Sequence, residues 1–92
     1  MAYYIALIHK ETDSGYGISF PDVAGVTAVA DTLDEAMREA GIALGFAFED
    51  WSGALPVPRT LDALRQDPEF LDKSTDAVVA AVTPAPGMAD AA

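Results

Sequence analysis

Cysteine is absent from the 92-residue chain. That excludes disulfides and thiolate metal ligands, and a cytosolic setting is the simplest reading. Histidine occurs once, as His9, and spacing assigns it no partner acid. Basic residues number five against fifteen acids, for a net charge of −10. Proteins that track phosphates need clustered lysine and arginine, so no direct nucleic-acid binding is expected. No run approaches the roughly 18 apolar residues of a membrane-spanning helix. No basic region followed by an apolar run opens the chain as a secretory signal would. The expectation is a cytoplasmic protein with no membrane contact. A nucleophile–base pair, a metal-ligand cluster and a glycine-rich phosphate loop are missing as well. No catalytic residue, metal or cofactor is therefore expected.

What the chain does have is apolar and acidic. Apolar residues make up 51% of it, but alanine supplies 18 of them. The larger apolar side chains suffice for one modest core. A domain of this size buries only about 60–65% of the surface its unfolded chain exposes, which favours oligomerisation. The acidic surface keeps the protein soluble and attracts basic partners.

Patterning divides the chain into a few elements. Tyr3 to His9 is apolar on both faces, with Tyr3, Ile5, Leu7 and His9 on one and Tyr4, Ala6 and Ile8 on the other. Such a strand is expected at the centre of a sheet. Glu11 to Gly15 has hairpin length, and Tyr16, Ile18 and Phe20 alternate as a second strand. Pro21 to Gly25 turns the chain, and Val26 to Ala30 makes a third short strand. Connections this short imply an antiparallel meander. Thr32 and Glu35 form a capping box that opens a helix. Leu33, Ala36, Met37, Ala40, Leu44, Ala47, Phe48 and Trp51 follow at helical spacing as its apolar stripe. Gly41 and Gly45 weaken that helix, and their spacing would let it lie close to the sheet or to another helix. Thr60 can cap a short helix, and Asp67-Pro68-Glu69 is a second start signal. Ala77 to Val82 reads as a last strand beside the first, and a frayed tail is expected after it. The fold class is α+β: a three-stranded antiparallel meander, a fourth strand, one long helix and a short helix. Residues 1–83 form the domain and 84–92 the flexible tail.

The run from Tyr16 to Ala36 carries a resemblance. Its strand, the Phe20-Pro21-Asp22-Val23-Ala24-Gly25 turn, a second strand and the Asp31-Thr32-Leu33-Asp34-Glu35-Ala36 helix start resemble the HicB family of bacterial antitoxins. The similarity extends roughly from Tyr3 to Val82 and includes the Asp67-Pro68-Glu69-Phe70 segment. It departs at the turn, where Ala24-Gly25-Val26 stands for the family's usual Pro-Gly-Cys. The resemblance implies a partial ribonuclease-H-like fold. It also implies a partner, a small basic RNA-cleaving toxin of HicA type, which the antitoxin covers. Many family members continue into an operator-binding module. This chain runs only ten residues past Val82, so DNA binding is not carried over. The fold invites a nuclease reading, but metal-dependent nucleases of that class need an acid on the first strand, and Tyr3 to His9 has none.

The expected function is therefore toxin binding without chemistry. The acids most available for it are Asp22 in the turn, Asp31 and Asp34 at the helix start, and Glu49 and Asp50 at its end. Each also has a simpler reading as a cap or a solubilising charge. Trp51 is the candidate anchor, since tryptophan is enriched where interfaces concentrate their energy. The competing reading is a solitary oligomeric scaffold or ligand-binding domain without a toxin.

Overall fold

In a computed structural model of the protein, which describes residues 3–10 and 15–85, seven elements follow one another. They are β1 (Tyr4–Lys10), β2 (Tyr16–Ser19), β3 (Thr27–Ala30), α1 (Leu33–Glu49), α2 (Leu61–Leu64), α3 (Pro68–Lys73) and β4 (Val78–Val82). All but the last residue of the expected hairpin turn at 11–15 lies outside the described residues, as does the tail beyond Ala85. The single short helix of the sequence reading is two, because both start signals operate. The Thr60 hydroxyl accepts from the Ala63 N–H at 3.1 Å, and the Asp67 carboxylate accepts from the Glu69 N–H at 2.9 Å.

The four strands form one antiparallel sheet in the order β3-β2-β1-β4. β1 is central, as its two apolar faces require. Tyr4, Ala6 and Ile8 point into the main core with Ile18, Phe20, Val82 and the buried face of α1. Leu7 points the other way, into a second cluster with Leu64 and Phe70. Burying a side chain of that size stabilises the fold by about 1.5–3 kcal/mol. The Pro21–Gly25 turn adds a core residue of its own: Val23 is 1% exposed. Gly25 closes that turn at φ +89°, in the left-handed region that glycine enters without a Cβ clash.

α1 begins as its capping box directs. The Thr32 hydroxyl accepts from the Glu35 N–H at 3.1 Å and donates to the Glu35 carboxylate at 3.3 Å. The stripe itself needs correction. Of its members Ala36, Ala40 and Leu44 are buried, joined by Gly41 and Gly45, while Leu33 and Met37 are 41% and 39% exposed. Both stand in the first two turns of the helix, whose sheet contacts are chiefly with edge strand β3. The helix also ends at Glu49 with Asp50 as its cap, so Trp51 lies beyond it rather than on its last turn. The two helical glycines do admit a close neighbour, and it is the chain itself. The Ala85 N–H donates to the Gly41 carbonyl at 2.9 Å, and the Ala85 backbone lies against Gly45. Among the described residues, no helix is long and apolar enough to cross a membrane.

Candidate partner-binding surface

No charged side chain among the described residues belongs to the buried core, so the acids decide what the surface offers. The acids expected to bind fall in three places rather than one. Asp22 sits in the turn between β2 and β3. Its carboxylate accepts from the Arg59 N–H at 2.7 Å and from the Arg59 guanidinium Nε at 2.6 Å. Its side chain is 9% exposed. The same guanidinium reaches Asp67 at 3.1 Å. Arg59 thus ties together the turn, the 52–59 loop that joins α1 to α2, and the start of α3. Hydrogen bonds to Asp22 first, and then to Asp67, hold the Arg59 pKa above its ordinary value. The bond from Arg59, reinforced by the Glu69 N–H, holds the Asp67 carboxyl below the usual carboxylate range. Asp22 is therefore engaged by the fold.

The second place is the start of α1. Asp31 and Asp34 are exposed there, close to the positive end of the helix dipole, where acids are stabilising. Asp31 lines a groove of about 480 Å³ with Glu35, Glu39, Tyr16 and Val29. None of its three carboxylates has an ion-pair partner among the described residues. The Lys10 ammonium stands nearby, 4.9 Å from the Tyr16 ring centre.

The third place is the other end of α1. Seventeen residues of helix put it about 25 Å away. Glu49 and Asp50 are exposed at the negative end of the dipole, with no base in the last turn. This placement is unfavourable by itself, so local helix stability does not account for the two acids. Trp51 beside them is half-buried. Its ring meets Phe48 edge-on at 5.6 Å, Phe48 meets Tyr4 at 5.3 Å, and the indole N–H donates to the Ala54 carbonyl at 3.1 Å.

The six expected residues are thus not gathered into one site. The sequence reading missed the Arg59 node, whose bond to Asp22 spans 37 residues of chain and has no local signal. It also missed the Asp31, Glu35 and Glu39 rim, for which a signal existed: the three acids recur every four residues. His9 is hydrogen-bonded to the Lys73 carbonyl at 2.8 Å. No group of three potential metal ligands occurs among the described residues.

Residues 4–88 match the family described as the HicB-like antitoxin of bacterial toxin–antitoxin systems. An uncharacterized 14.9 kDa protein from the rep–hol intergenic region of Haemophilus phage HP1 (strain HP1c1) is 33% identical over 75 residues. That match covers 78% of this chain and 55% of the phage protein. The Burkholderia pseudomallei antitoxin HicB superimposes with a TM-score of 0.71 at 26% identity, over 90% of this chain and 63% of that one. A structure of its N-terminal domain gives 0.70 at 25% identity and is covered to 99%. A HicA3 and HicB3 toxin–antitoxin complex gives 0.70 at 22% identity, a likeness of fold alone. The chain therefore spans little more than half of the phage protein and under two thirds of the longer HicB chain.

Proposed function

The chain belongs to the HicB-like antitoxin family, and on that premise we propose that it binds and neutralises a small basic HicA-type, mRNA-cleaving toxin. The observation that carries the reading is the charge: −10 over 92 residues, with exposed carboxylates at both ends of α1. Such a surface competes with RNA phosphates for a basic face and speeds the encounter with it. Asp31 and Asp34 would act at one end of the helix, and Glu49, Asp50 and Trp51 at the other. Asp22 would contribute mainly by holding the turn.

The chain itself does no chemistry in this reading and binds no nucleic acid directly. Two of its five bases, Arg59 and Lys73, already face acids within the fold. His9 is occupied by a backbone carbonyl. Residence in the cytoplasm belongs to the same reading.

Self-association is part of it too. β4 is an edge strand of valine and alanine alone, with Val78 47% and Val79 40% exposed. An uncharged edge of this kind favours pairing with another copy. The test of the function is RNA cleavage by the toxin-like protein encoded beside this gene, assayed with and without the purified chain. Suppression at equimolar ratio is expected. Undiminished cleavage at excess chain, or no toxin-like neighbour, would leave the solitary-domain reading as the better one.

A further inference from the structure

The outer edge of β3 has no strand beside it among the described residues. Natural sheets blunt such edges with lysine, proline, a bulge or shortness. β3 uses only the last. Its four residues, Thr27–Ala30, carry no lysine and no proline, and their register with β2 is unbroken. Val29 stands opposite Gly17, which has no side chain to cover it, and is 76% exposed. The groove lined by Asp31, Glu35 and Glu39 takes in Val29 and Ala30 at the end of this strand, with Gly15 and Tyr16 beside them. An unpaired backbone ladder, a bare valine and three carboxylates with no ion-pair partner among the described residues thus lie together.

From this juxtaposition we propose that the outer edge of β3 receives an extended segment of a basic protein as a fifth strand. Backbone hydrogen bonds would supply the pairing, Val29 the apolar contact, and the carboxylates would meet alternate lysine or arginine side chains. This is recognition by strand addition. A second copy of the chain is the poorer occupant, because twofold pairing at this edge would bring two acidic rims together. The uncharged β4 edge has no such obstacle and no such selectivity. The inference rests on the proposed function only in taking the toxin as the natural basic partner.

Two arms test it. In the first, the full chain is titrated with the peptide (Lys-Val)4, with (Glu-Val)4 as control, and amide hydrogen exchange is read residue by residue. Slowed exchange within Thr27–Ala30 is expected with the lysine peptide alone. D31N/E35Q/E39Q, which keeps a glutamine in the capping box, is expected to weaken binding at least tenfold while a melting scan shows it folded. Protection at β4, protection nowhere, equal binding by the triple variant, or β3 protection that rises with chain concentration without peptide would each overturn the proposal. In the second arm the neighbouring toxin replaces the peptide. Inhibition by the native chain that survives unchanged in the triple variant, with β3 exchange unaltered, overturns the edge assignment and leaves the function standing. Failure to inhibit at all counts against the function, and the peptide arm then decides the edge by itself.

Discussion

Arg59 joins parts of the chain that sequence separation keeps far apart, and the joints have measurable consequences. Asp22→Ala removes the acceptor for both the backbone N–H and the side chain of Arg59. Because the lost carboxylate is 9% exposed, the change is expected to destabilise the fold by about 1–3 kcal/mol. Urea denaturation checks it, and limited proteolysis should show faster cleavage in the 52–59 loop. Asp67 gives the node a pH dependence. Its carboxyl is held below the usual range, chiefly by Arg59. Its contribution is therefore complete above the unfolded value near pH 4 and is lost as pH falls through the lower folded value. The expected result is an acid-side fall in melting temperature that Asp67→Asn makes shallower. Arg59 is shifted the opposite way, so its contribution is lost only at strongly alkaline pH. None of this was legible beforehand. Asp22 and Asp67 were readable as turn and cap residues, because those roles depend on neighbours in the chain, whereas their meeting at Arg59 depends on the finished fold.

Elements were read best where a local rule was sufficient. Thr32 and Glu35 placed the start of α1 because a capping box needs only four residues. The two-faced pattern of β1 placed it in the middle of the sheet, and the cores on either side of it follow. The apolar stripe failed at Leu33 and Met37 because periodicity reports direction around a helix and not how much sheet lies beneath it. The glycines were readable as a close-approach surface, but what approaches, the 83–85 segment, was not. That segment distinguishes the two positions. A Cβ at Gly41 would stand 3.2 Å from the Thr83 carbonyl oxygen, whereas one at Gly45 would collide with the Ala85 carbonyl. Alanine gains about 1 kcal/mol of helix propensity at either site. Gly41→Ala is expected to be close to neutral. Gly45→Ala is expected to lose about 1–2 kcal/mol net, since overpacking outweighs propensity. Paired urea melts check the order, and faster exchange of the Ala85 amide would locate the damage.

Charge is the property that belongs to the whole molecule. A net −10 makes compaction work against self-repulsion while steering basic partners inward, and the end of α1 concentrates the conflict. Glu49 and Asp50 face the negative pole of the helix without a basic neighbour in its last turn, so the fold alone would be better off without them. Glu49→Gln/Asp50→Asn is accordingly expected to raise stability by about 0.3–1 kcal/mol. If those acids serve a basic toxin, the same variant is also expected to associate more slowly, and the loss should shrink as salt rises, because the steering field extends only about 10 Å at 0.1 M ionic strength. Dissociation should change little, since rim charges act on encounter rather than on residence. Trp51→Ala provides the contrast. As an anchor it would leave association nearly unchanged and speed dissociation. As a purely structural ring on Phe48 it would lower stability and leave both rates alone. Stopped-flow association at several salt concentrations, run beside denaturant melts of the same variants, separates these outcomes. A stabilised double variant with unaltered association rates would remove the helix end from the interface, leaving the acids at the start of α1 as the surface for the partner.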